Sequence, residues 1–114
     1  VDFYEVQPVK GELIVDKHCY SAFSGTDFDR QLRNRGIRTL LMTGVATNVC
    51  VDSTLRDGFF LGYYVVVAED CVGAANKEGH EGTLSTVRYT FGSVLPSQEI
   101  IQIIHGRHAA AAAE

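Results

Sequence analysis

The stretch "RTLLMTGVATNVCVDSTLRDGFFLGYYVVVAEDC", residues 38–71, holds two apolar runs with a helical repeat between them. The first, "RTLLMTGV" (38–45), is short, apolar and rich enough in β-formers for a buried strand. From about Asn48 to Leu61, Val51, Leu55 and Phe59 recur at four-residue spacing and Gly62 supplies a stop, which predicts an amphipathic helix. "YYVVVAEDC" (63–71) is the most apolar run of the chain and does not alternate. A strand with that pattern is buried on both faces, as in a parallel sheet covered by helices.

The flanking segments continue the alternation. "ELIVDK" (12–17) follows Gly11 and predicts a further strand, after which "CYSAFSG" is a loop. A helix is expected to start at Thr26, where "TDFD" offers an N-cap with an acidic residue three positions on; Phe28 and Leu32 give its apolar stripe and Gly36 its end. Beyond residue 71, "HEGTLSTVRYTFG" (80–92) reads as a helix, "SVL" (93–95) as a short edge strand, and "SQEIIQIIH" (97–105) as a last helix capped by Ser97. The order βαβαβαβα with short connections predicts an α/β fold: a doubly wound, mainly parallel sheet with helices on both faces. In such sheets ligands bind outside the carboxyl ends of the strands. Lys17 with "HCYSAF", Gly44 to Cys50, and Ala68 to Val72 fall at those ends.

The totals bound the function classes. At 114 residues, 46% of them hydrophobic, the chain is at most one domain with material for a core. A net charge of −4 argues against a nucleic-acid or anionic-membrane surface. No run approaches a membrane span and the N-terminus lacks a signal-peptide layout, so a cytoplasmic location is expected. Cys19, Cys50 and Cys71 are odd in number and irregularly spaced, which fits neither a disulfide framework nor a zinc site. His18, His80, His105 and His108 show no metal-ligand spacing either, so no metal or other cofactor is expected, and a solvated role is assigned to these histidines. The closing "HAAAAAE" reads as a frayed helical tail over 109–114.

Cys50 falls within the first turn of the helix after a predicted strand, where unpaired N–H groups and the positive end of the helix dipole favour a thiolate. The same N–H groups suit an oxyanion. A small buried hydrophobe is the commoner fate of a lone cysteine and stays open on position alone. Lys17 ends the run 12–17, where its stem can pack while the ammonium faces a cleft and stabilises a nearby thiolate; simple solvation is the competing reading.

"KHCYSAF" (17–23), the Thr and Leu of "TDFDRQL" (26–32), "GVATNVCV" (44–51), "STLRDG" (53–58) and "GYYVVVAED" (62–70) together resemble the isochorismatase-like cysteine hydrolases, in order and with 33 positions between Lys17 and Cys50. The resemblance implies a three-layer α/β/α fold and a Cys, Lys and Asp catalytic set, of which Cys50 and Lys17 match. It implies a non-proline cis peptide between Val45 and Ala46, and an oxyanion hole from the N–H groups of Ala46 and Cys50. The family's Asp has no counterpart: Asp2 and Asp16 are the only aspartates before Lys17, and neither stands in a matching segment. Residues 1–108 are therefore expected to be the C-terminal portion of one such domain, incomplete at the N-terminus.

Cys50 argues for C–N hydrolysis over vinyl-ether chemistry, and "GVATNVCVDSTLRDGFFLGYY" is most similar to the ureidoacrylate amidohydrolases of pyrimidine breakdown. The implied partner is a small amide or ureido substrate, with Tyr20, Phe23 and Asn48 as candidate pocket residues. A nicotinamidase-like or N-carbamoylsarcosine amidase-like hydrolase and a non-catalytic family member are the alternatives. The family's habit of assembling, with the Ile-rich last helix, implies a homo-oligomer.

Overall fold

The computed structural model describes residues 3–113, with side chains described as far as Arg107. Helix α1 (Phe28–Asn34) leads into strand β1 (Thr39–Val45). A wide turn, Thr47–Val51, runs without a break into α2 (Asp52–Phe60). Strand β2 (Tyr64–Gly73), helix α3 (Lys77–Thr86), a second wide turn (Val87–Phe91), strand β3 (Gly92–Leu95) and helix α4 (Ser97–Ala113) follow.

The sheet is parallel throughout, in the order β1-β2-β3. The unalternating run 63–71 is its central strand. Leu40 pairs with Val65 and Met42 with Val67, which puts these four side chains on one face of the sheet. Val65 and Val67 join Val51 and Leu55 from the α2 side and Leu84, Val87 and Phe91 from the α3 side in the main core. Leu40 joins Leu32 of α1 and Tyr63 in a second cluster, where Phe23 packs against Phe28 and stacks on Tyr63. Helix α4 meets β2, with Ile100 buried.

Two glycines make close approaches possible. A Cβ at Gly58 would stand 2.6 Å from Leu40 Cδ1, so its absence lets α2 settle on β1. A Cβ at Gly92 would run into the Val65 carbonyl, so β3 needs glycine to pair with β2 at this point.

The expected strand over 12–17 does not form. Leu13 and Val15 are half-buried, Ile14 is exposed, and the segment joins no ladder. Its composition suits a strand, but hydrogen-bond pairing needs a neighbour, and among the described residues the outer edge of β1 is unpaired. Two helix starts also differ from expectation. Helix α1 begins two residues after Thr26, whose hydroxyl accepts from the Phe28 N–H (3.3 Å) while donating to the Ala22 carbonyl (2.6 Å). Helix α3 begins three residues before His80, because Asn76 caps it by accepting from the Gly79 N–H.

Asp70, near the carboxyl end of β2, accepts from the Ser97 N–H (2.7 Å) and hydroxyl (2.6 Å), which ties the start of α4 to the central strand. These bonds to the ionised form hold its carboxyl below the ordinary aspartate range.

Candidate active site

The pairing of β1 with β2 changes register near the carboxyl end of β1: Met42 opposes Val67, but Gly44 opposes Val72. Gly44 takes a φ of 108°, a left-handed value glycine tolerates without cost, and the Val45–Ala46 peptide one residue on is cis. Val45 remains paired with Gly73, and the cysteine-bearing turn begins at Thr47.

That turn is wider than an α-helical one. The Ala46 carbonyl accepts from the N–H groups of Val49 and Val51, both at 3.1 Å, and the second bond spans five residues. The carbonyl is thereby occupied on either side of Cys50 without engaging the Cys50 N–H. The half-buried Cys50 thiol sits within this turn.

Cys50 and Lys17 line the same cleft, of about 470 Å³, which runs along β1 from Thr39 to Val45 and is walled by Phe28, Leu32, Ile37, Val51 and Thr54. The lining is mostly apolar, and among the described residues no Asp, Glu or His contributes to it. Lys17 Nζ donates to the Cys19 carbonyl (3.0 Å), so its own loop holds the ammonium. That loop is anchored to α2, since the Ala22 N–H donates to Thr54 Oγ1 at 3.0 Å. One hydrogen bond therefore links the lysine loop to the helix that carries the cysteine turn.

The three expected pocket residues lie elsewhere. Tyr20 is exposed and Phe23 is drawn into the aromatic stack on Tyr63. Asn48 is turned toward α3, where a Cβ on Gly79 would overlap its amide. Val45 lines the cleft, while Ala46 precedes the turn in extended conformation.

This fold has clear relatives. The isochorismatase domain model matches residues 3–99. The chain belongs to the isochorismatase family. The ureidoacrylate amidohydrolase RutB of Acinetobacter baylyi is 44% identical over 98 residues, 85% of this chain and 40% of that protein. RutB of an Enterobacter species is 48% identical over 91 residues, 79% of this chain and 40% of that protein. The chain thus spans about 40% of the length of these curated relatives. Among solved structures, an isochorismatase-like hydrolase from Alkaliphilus metalliredigens superposes with a TM-score of 0.85 at 37% identity, covering 90% of this chain and 56% of that one. The parallel α/β layering expected from the sequence is shared with this isochorismatase-like neighbour.

Two polar residues of this isochorismatase-family chain escape sequence reasoning. Thr47 is fully buried, and its Oγ1 lies 2.8 Å from His80 Nδ1. His80 is thus not the solvated side chain expected: α3 brings it half-buried against the cysteine turn. Thr54, also buried, was not singled out, because the bond that matters comes from a loop 32 positions away. A threonine within an apolar helical repeat is the one local signal, and it does not name a partner. Among the described residues no group of three or more His, Cys, Asp or Glu is placed to hold a metal, and no helix is long and apolar enough to cross a membrane.

Proposed function

We propose that this chain carries the nucleophile of a cysteine-dependent amidohydrolase acting on the C–N bond of a small amide or ureido substrate, ureidoacrylate-like in character. The observation that carries this reading is the cleft that Cys50 and Lys17 share. The similarity to the two RutB proteins supports the ureido substrate class.

In this reading Cys50 Sγ, as thiolate, attacks the substrate carbonyl, and the Lys17 ammonium supplies the counter-charge. The oxyanion is received by the N–H groups of Ala46 and Cys50. The carbon–nitrogen bond breaks as the departing nitrogen takes up the proton first removed from the thiol, leaving a thioester. Water then adds to the thioester and returns the thiol. The group that shuttles the proton is not among the cleft-lining residues, and the reading assigns it to a carboxylate contributed by polypeptide beyond them.

The test is ammonia release from ureidoacrylate by the full-length protein, with nicotinamide as the competing substrate. Cys50→Ala is expected to lower turnover by about a thousandfold or more, and Lys17→Ala by about a hundredfold, while the fold persists. Undiminished turnover in folded Cys50→Ala would remove the thiol from the mechanism.

A further inference from the structure

We propose that His80 is a positioning residue for the cysteine-bearing turn, acting through Thr47; the functional consequence rests on Cys50 being the nucleophile. Thr47 opens the turn, and its side chain is completely withdrawn from solvent. A buried hydroxyl requires a partner, and the partner is His80 Nδ1 at 2.8 Å. The next residue is keyed to the same helix, since Asn48 fills the space that a Cβ on Gly79 would take. Two consecutive residues of the turn are thus matched to two consecutive residues of α3.

Helix α3 is itself fixed where this happens. Asn76 caps it through the Gly79 N–H, and the His80 N–H donates to the Asn76 carbonyl (3.3 Å). Leu84, further along α3, and Val87, just past its end, share the main core with Val51, the last residue of the turn, and with Leu55 of α2. The turn is therefore braced against the α3 side at its opening and at its last residue. The span between those braces contains Cys50. Neither Thr47 nor His80 lines the cleft, so the pair acts on the thiol through the backbone and not on a substrate.

The bond also accounts for the geometry of the turn. Ala46 receives two N–H donors across five residues, a wider arrangement than an α-helical turn would adopt unaided. Holding the Thr47 side chain sideways against His80 fixes the residue from which that widening starts. Without the bond, Thr47 keeps an unpaired buried hydroxyl, and the turn gains freedom to rewind.

The experiment compares Thr47→Val, His80→Ala, the double variant, and the conservative pair Thr47→Ser and His80→Asn in the full-length protein. Iodoacetamide labelling is followed by peptide mass for all three cysteines, with exposed Cys19 and Cys71 as controls in the same molecule. Thr47→Val and His80→Ala should each slow Cys50 labelling by about tenfold, since small displacements of a reacting group are costly, while Cys19 and Cys71 keep their rates. Thr47→Ser and His80→Asn should restore it, and the double variant should match the worse single, as expected for two partners in one bond. Hydrogen exchange over residues 46–51 should rise in the same variants, with β2 unchanged.

Unaltered or faster Cys50 labelling in folded Thr47→Val and His80→Ala overturns the proposal, as do additive effects. Should wild-type Cys50 label no faster than Cys19 and Cys71, the nucleophile reading falls instead. The exchange over 46–51 then decides the Thr47–His80 link by itself, and unchanged exchange in both single variants refutes it.

Discussion

At the scale of single residues, the chemistry divides between groups that face the cleft and groups that hold them there. Cys50 and Lys17 face it; Thr54, through the Ala22 N–H, holds the lysine loop to α2. Thr54→Val is expected to loosen that loop, destabilising the protein by about 1 kcal/mol for the lost hydrogen bond, read as a shifted urea midpoint. It should also lower kcat, because the loop carries the Lys17 ammonium that the proposed reaction uses. A wild-type midpoint would show that the Ala22–Thr54 bond carries no stability. Asp70 gives a pH prediction. Its folded-state pKa lies below the ordinary value because the Ser97 hydroxyl and N–H bond the carboxylate. The stability it adds is therefore complete above the unfolded-state value, about 3.9, and is lost as pH falls through the depressed folded value. Asp70→Asn should lower Tm at pH 7 and converge on wild type at acidic pH, once the pH lies below the depressed folded-state value. A constant Tm gap across that range would contradict the assignment.

The elements were unevenly legible. The strand–helix–strand unit over 38–71 could be read because its signals are local: an unalternating apolar run, a four-residue repeat and a glycine stop. The segment 12–17 reads as a strand by the same criteria and is not one, because pairing is a property of two segments and composition describes one. Helix α3 starts earlier than expected, since an asparagine cap at Asn76 outweighs the glycine that follows it at Gly79. Strand β3 supplies the prediction at this scale. Gly92→Ala would push a methyl into the Val65 carbonyl where the two strands pair. A backbone obstacle cannot rotate away, so a loss of about 1–3 kcal/mol is expected in chemical denaturation. Unchanged stability would mean that β3 tolerates displacement from β2.

At the scale of the whole chain, the outer edge of β1 is unpaired among the described residues, with Leu41 and Val45 exposed beside the cleft. Helix α4 adds Ile101, Ile103 and Ile104 to the exposed apolar surface. Edges and faces of this kind favour association. Light scattering at micromolar concentration is expected to give a multiple of the monomer mass, reduced by Ile104→Glu. A monomer at that concentration would count against the expectation.

Local patterning in the sequence determined the layer class, the central strand and the helix α2 that follows the cysteine-bearing turn, because hydrophobic periodicity and turn chemistry act between near neighbours. Motif order pointed to the family and to Cys50 and Lys17. Tertiary structure alone decided the rest: that 12–17 pairs with nothing described, that Phe23 and Asn48 turn away from the cleft, and that His80 reaches Thr47 from 33 positions away. Each depends on a contact between distant segments, and the burial that makes such a contact favourable exists only once the sheet and its helices have closed on one another.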